Sequence, residues 1–175
     1  MFGIERIKII SSSSYLKERS NQASEYNDAI NSILREILPL APGDITTETT
    51  QEQLMGRYDA NEGIDIILTL KDGSRATLQE KCLFKGFNTV TFETEKGSGK
   101  KGAWFYCTSQ LYFCAEAKEG KILSYVLIDL VKLKLVSNTQ DLPWRYQTGK
   151  TRSNEGFKFM KFTDVPDECL IARKL

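Results

Sequence analysis

The chain has 175 residues, 41% hydrophobic and 27% charged, a composition expected of one globular domain that buries ~70% of its unfolded surface. With 24 basic against 23 acidic residues the net charge is +1, so any hold on a polyanion must come from a local patch rather than from the global field. The absence of histidine excludes Ser-His, Cys-His and imidazole-base catalysis, leaving carboxylates, Lys, Tyr, Ser, Cys or a hard metal ion.

In chain order, the N-terminal MFGIERIKII carries Glu5 and lacks a long apolar core with a small-residue cleavage site. It is therefore not read as a signal peptide, and no apolar run approaches a membrane span. Residues 2–10 read equally as a short strand or a helical lead-in, and serines 11–14 supply helix caps. From residue 15 or 20 to residue 38, Ala23, Tyr26, Ile30, Ile33 and Ile37 recur at spacings of three and four, which predicts an amphipathic helix ended by Pro39. Residues 45–58 are Thr/Gln/Glu-rich, with room for one short helical turn. Residues 64–70 predict a buried strand, Asp72-Gly73 a tight turn, and residues 75–83 its partner strand. Residues 87–93 alternate as a strand, and 95–102 form a basic loop. Residues 103–117 read as a helix, 122–128 as a buried strand, and Asp129 as the cap of a helix through about residue 136. Residues 138–156 read as a long loop and 157–162 as a short strand, followed by a tail broken at Val165-Pro166. No repeat or linker divides the chain, so residues 1–175 are read as one domain.

Chemistry gathers around the predicted hairpin. Side chains alternate across a strand, so Gln79 and Lys81 share a face while Leu78, Glu80 and Cys82 take the other. The hairpin can bring Asp65, which lies in an otherwise apolar run, beside Gln79 and Lys81. A carboxylate and an amide oxygen suit Mg²⁺ or Mn²⁺, ions that polarise a phosphate and activate a water, and an ammonium can stabilise the developing charge. A cross-strand ion pair of Asp65 with Lys81 is the plain structural alternative.

Here the chain resembles the PD-(D/E)XK nuclease superfamily, the restriction-endonuclease-like and Holliday-junction-resolvase-like proteins. The residues that carry the resemblance are Gly63-Ile64-Asp65 and, after the hairpin, Gln79-Glu80-Lys81, within roughly residues 20–130. It implies an α/β fold (mixed α+β) with a restriction-endonuclease-like core, a central mixed sheet flanked by helices in the order αβββαβ. It implies Mg²⁺- or Mn²⁺-dependent hydrolysis of DNA phosphodiester bonds. Asp65 would be the metal-binding aspartate, Lys81 the catalytic lysine, and an acid on the first helix a further ligand, Glu25 before Glu36. The sequence departs from the family pattern twice. Ile64 stands where a proline is common, and Gln79 stands two residues before the lysine, where the second acid belongs. Three outcomes follow: Gln79 serves as the ligand, a bulge turns Glu80 inward, or the chain is a catalytically inactive module that binds nucleic acid or protein. A homodimer is compatible with paired cuts in duplex DNA.

Other patches bear on a DNA partner. Residues 95–101, EKGSGKK, lack the glycine spacing of a phosphate loop and read as a basic finger with Lys100 and Lys101, or as a solvated turn. The predicted helix 103–117 reads as core, and the resemblance implies that a helix in this place lines the cleft and lets Ser109 or Gln110 reach a phosphate. Residues 144–161 hold Arg145, Lys150, Arg152, Lys158 and Lys161 against Glu155, interleaved with Trp144, Tyr146 and Phe157, a mixture suited to a nucleic-acid backbone. Cys82, Cys107, Cys114 and Cys169 form no C-x-x-C pair and read as reduced core thiols, which points to an intracellular, cytoplasmic protein without a membrane partner.

Overall fold

The computed structural model describes residues 26–46, 63–147 and 155–175. The first helix, α1 (Asn27–Ile37), runs into strand β1 (Leu40–Thr46). Its Leu38 cap is already extended ahead of Pro39, the residue that cannot continue a helix. Strands β2 (Ile66–Leu70) and β3 (Arg75–Leu83) form the predicted hairpin. Gly73 takes φ +82 in its turn, and the Asp72 carboxylate accepts from the Ser74 amide at 2.9 Å. These are the local devices that make the turn legible in sequence.

Strand β4 (Thr89–Glu95) follows, then α2, a single turn (Ala103–Tyr106), and strands β5 (Leu111–Lys118) and β6 (Lys121–Asp129). Helix α3 (Leu130–Thr139) begins where predicted, with the Asp129 side chain accepting from the Lys132 amide at 2.9 Å. Strands β7 (Arg145–Gln147) and β8 (Gly156–Lys161) precede two short 3₁₀ turns and a C-terminal strand β9 (Leu170–Lys174).

Six strands make a mixed sheet in the order β1-β2-β3-β5-β6-β9, in which β3 and β5 run parallel and every other neighbouring pair antiparallel. A second, antiparallel sheet has the order β4-β8-β7. One face of the large sheet packs Ile66, Leu68, Leu78, Phe113, Ala115 and Leu127 against Ile30 and Leu34 of α1 and Tyr26 at its N-cap. Each such fully buried aliphatic side chain contributes about 2 kcal/mol of transfer free energy. The opposite face packs Tyr112, Cys114, Val126 and Ile128 against Val90, Phe92 and Met160 of the small sheet and Leu130, Leu133 and Val136 of α3. The layers are therefore α1, the large sheet, and then the small sheet with α3.

The mixed α+β class and mixed sheet agree with expectation; the element order αβββαβ does not. The helix expected over residues 103–117 is one turn followed by β5. Tyr112 and Cys114 enter one core while Phe113, Ala115 and Ala117 enter the other. A strand buried on both faces reads as a continuous apolar run, which periodicity cannot tell from a buried helix. Residues 138–156, read as loop, contain β7, and the tail read as irregular ends in β9, which pairs with the edge of β6. Of residues 45–58, β1 accounts for the first two, and the expected helical turn lies outside the described residues, as does the lead-in at 2–10.

Candidate functional site

Asp65 sits one residue before β2, beyond the Ile66–Leu78 pair, which puts it level with Gln79. Its amide donates to the Leu78 carbonyl at 3.0 Å, and its Oδ2 accepts the Glu80 amide at 2.7 Å. The carboxylate thus stands where the next backbone carbonyl of β2 would close the ladder. Gly63 sets up this entry. It has φ +61, and a Cβ there would lie 2.9 Å from Cys107 Sγ. Its carbonyl accepts the Ser109 hydroxyl at 2.7 Å. Only a glycine gives both the left-handed turn and the close approach.

Along β3 the alternation holds. Gln79 pairs with Tyr112 and Lys81 with Cys114, on the side that meets the small sheet. Leu78 and Cys82 face α1, and Glu80 is on their side, where its charge helps raise the Cys82 thiol. The Glu80 side chain is therefore not turned toward Lys81; what Glu80 contributes next to Asp65 is its backbone N–H. Gln79 Oε1 is buried and has no hydrogen-bond donor. Lys81 Nζ donates to the Thr91 carbonyl at 3.5 Å and stands 5.6 Å from the centre of the Phe157 ring. The same Thr91 carbonyl accepts the Tyr112 hydroxyl at 2.9 Å. Burial first, then Cys114, Cys107 and Asp65, hold the Tyr112 hydroxyl well above its ordinary pKa, which keeps it a donor. Glu93, half-buried on β4, has its carboxyl pKa raised by burial and then by Glu155, with Lys96 and Lys81 acting the other way.

A buried amide oxygen without a donor, level with a carboxylate, fits the oxygen preference of Mg²⁺ or Mn²⁺. Among the described residues no group of three or more His, Cys, Asp or Glu converges on one point, so such an ion would rest on one carboxylate and one amide. Glu25 lies outside the described residues. Glu36 is exposed on α1, the helix that packs on the far side of the sheet from Lys81.

Ser109 and Gln110 do structural work. Ser109 is buried on the Gly63 carbonyl, and Gln110 Oε1 accepts the Thr77 amide at 3.0 Å. All four cysteines are free thiols. Burial pushes Cys82 and Cys114 up to about 12, so neither is a ready nucleophile. Of the basic residues, Lys100 and Lys101 are exposed at the tip following β4, where Lys101 lies 5.6 Å from the Phe105 ring centre. Arg145 is exposed on β7, while Lys150 and Arg152 lie outside the described residues. Lys158, counted among the basic residues suited to a nucleic-acid backbone, is instead turned inward. It is 5% exposed, with Nζ 2.9 Å from the Trp104 ring centre and 4.1 Å from that of Trp144. The register of β8 with Phe92 turns Lys158 to the core side, a fact no local pattern signals.

Sequence reasoning missed Thr91, Tyr112 and Phe157 as neighbours of Lys81. The alternation of 89–93 could have placed Thr91 and Glu93 on one face, but the docking of that face beside β3 is non-local. No protein-family model, curated protein or solved structure matches this chain. Among the described residues, no helix is long and apolar enough to cross a membrane.

Proposed function

We propose that this chain is a divalent-metal-dependent deoxyribonuclease in which Asp65 and Gln79 hold Mg²⁺ or Mn²⁺ and Lys81 supplies the cation beside the phosphate. The observation that carries this is Gln79 Oε1, buried and without a donor on the Lys81 side of β3. An unsatisfied buried oxygen costs about 1–3 kcal/mol, and a hard cation is one way to satisfy it. The ion, when bound, supplies Lewis-acid polarisation of the phosphodiester. The protein's own contribution is positional. The Glu80 amide fixes one Asp65 oxygen, and the Thr91 carbonyl and Phe157 ring keep the Lys81 ammonium extended. An ammonium fixed in this way stabilises charge that develops on the phosphate without reorganising.

The antiparallel run β1-β2-β3 with β5 added parallel to β3 supports a restriction-endonuclease-like core for that part of the sheet. DNA as partner, an intracellular location and a homodimer for paired cuts belong to the same proposal. The second reading, an inactive binding module, is favoured by Gln79 in place of an acid and by the turn of Glu80 toward α1.

The test is incubation with branched, linear and single-stranded DNA in Mg²⁺, Mn²⁺ or chelator. Metal-dependent cleavage is expected, and Asp65→Asn and Lys81→Ala should each lower it by about 10²-fold or more while far-UV circular dichroism stays unchanged. Full activity in folded Asp65→Asn would overturn the assignment. Absence of cleavage on every substrate, with DNA still bound, would favour the binding module.

A further inference from the structure

Among the described residues, the apolar core takes Val90, Phe92 and Met160 from one face of the small sheet, while on the other face Thr89 is the buried position. Phe92, Lys158 and Tyr146 form a cross-strand row on the core side, as do Val90 and Met160. The register sets three other rows on the outer face: Thr89 with Lys161, Thr91 with Phe159 and Arg145, and Glu93 with Phe157 and Gln147. Phe157 and Phe159 are partly exposed there, and Arg145, Gln147 and Lys161 are exposed. Two aromatic rings on alternate residues of one strand stand ~7 Å apart, a spacing suited to successive bases of an extended strand. Cations flank the pair, Arg145 and Lys161 on one side and Lys81 on the other, with Nζ 5.6 Å from the Phe157 ring centre. Glu93 is the acid in the Phe157 row and Glu155 precedes Phe157 on the same face; burial, and then Glu155, weaken the tendency of Glu93 to ionise.

We infer that the outer face of the small sheet is a stacking platform for single-stranded nucleic acid, with unpaired bases on Phe157 and Phe159 and the backbone along Arg145, Lys161 and Lys81. The inference rests on the proposed nuclease site for its direction, because the platform ends at Lys81, but it makes a separate claim about substrate class. An aromatic face can be stacked only by a base outside a duplex, whereas a basic patch alone holds duplex and single strand alike.

Fluorescence anisotropy tests this with the full chain in chelator, where no cleavage occurs, using a labelled single-stranded oligonucleotide and the duplex of the same sequence. The single strand should bind more tightly. Phe159→Leu, which keeps apolar bulk, should weaken single-strand binding by about tenfold and leave duplex binding unchanged, Phe157→Leu, which also releases Lys81, should weaken single-strand binding by about tenfold, and Phe159→Trp should preserve it. Arg145→Ala should weaken both substrates and lower the salt slope by about one. Equal affinity for single strand and duplex, or leucine variants indistinguishable from wild type, would overturn the platform. The two claims separate cleanly. Single-strand binding through the phenylalanines without metal-dependent cleavage refutes the nuclease reading alone, and cleavage with unaffected leucine variants refutes the platform alone.

Discussion

At the scale of single residues, Asp65 has an observed task and a proposed one that mutation can separate. Its carboxylate accepts the Glu80 amide at 2.7 Å, which is structural, and as the acid level with Gln79 it is the proposed ion ligand. Asparagine keeps an acceptor in the same place. Asp65→Asn should therefore leave stability nearly unchanged in urea denaturation, whereas Asp65→Ala should cost about 1–3 kcal/mol. Equal loss in both would mean that the charge, not the hydrogen bond, holds the β2 entry. Lys158 gives a pH signature. Burial first, and Lys134 second, pull its ammonium from 10.5 to about 7. The two indole faces favour the charged form, but the loss of hydration outweighs them. Because the folded pKa lies below the unfolded one, the unfolded chain binds more protons between these values. Stability should rise as pH climbs from about 7 toward 9, above which the raised thiols of Cys82 and Cys114 act the other way, and Lys158→Met should remove that rise. Unfolding midpoints measured across this range check it, and a slope that survives in Lys158→Met would contradict it. The alternation that separates Gln79 and Lys81 from Glu80 was legible in the sequence. The burial of Lys158 was not, since its row mate Phe92 and the Trp104 ring beside it come from distant segments.

At the scale of elements, what could be read from sequence was what local chemistry decides. The β2–β3 hairpin follows from Asp72-Gly73, the end of α1 from Pro39, and the start of α3 from Asp129. What could not be read was β5, whose identity depends on having a core on each face, and the pairing of β4 with β8 across 60-odd residues of chain, of the order that loop closure makes slow and locally silent. Buried in β5, Glu116 accepts from the consecutive amides of Gly86, Phe87 and Asn88 at 2.8, 3.0 and 3.0 Å, and so fixes the path from β3 to β4. Glu116→Ala should destabilise by about 3 kcal/mol and loosen residues 86–88 first, seen as faster amide exchange there. Unchanged exchange would mean that the path is held elsewhere. Strand β3 carries the metal question. Gln79→Glu places a second carboxylate beside Asp65. It should lower the unfolding midpoint in chelator through like-charge repulsion, raise it in Mg²⁺, and reduce the Mg²⁺ needed for half-maximal cleavage. Glu80→Gln, on the α1 side, should leave metal dependence as it is. The reverse pattern would mean that Glu80 rather than Gln79 serves the ion.

At the scale of the molecule, the large sheet gives one face to α1 and the other to the small sheet and α3, and the candidate residues lie at the seam between the two sheets. Asp65 and Gln79 come from the hairpin of the large sheet, and Thr91 and Phe157 from the small one. In the proposed function, a seam of this kind lets the hairpin of one sheet hold an ion while the neighbouring sheet positions the lysine of β3 and presents a surface to substrate. It also explains why a short motif suggested the site while its surroundings stayed hidden, for the hairpin is local and the second sheet is not. The central claim is that Asp65 and Gln79 form a divalent-cation site. It is tested most directly by titrating Mn²⁺ into the folded protein and counting bound ions by electron paramagnetic resonance, with Asp65→Asn and Gln79→Leu alongside. The account predicts a bound Mn²⁺ that Mg²⁺ displaces and that weakens by tenfold or more in each variant. Mn²⁺ bound equally well by wild type and Asp65→Asn, or not bound at all, would contradict it.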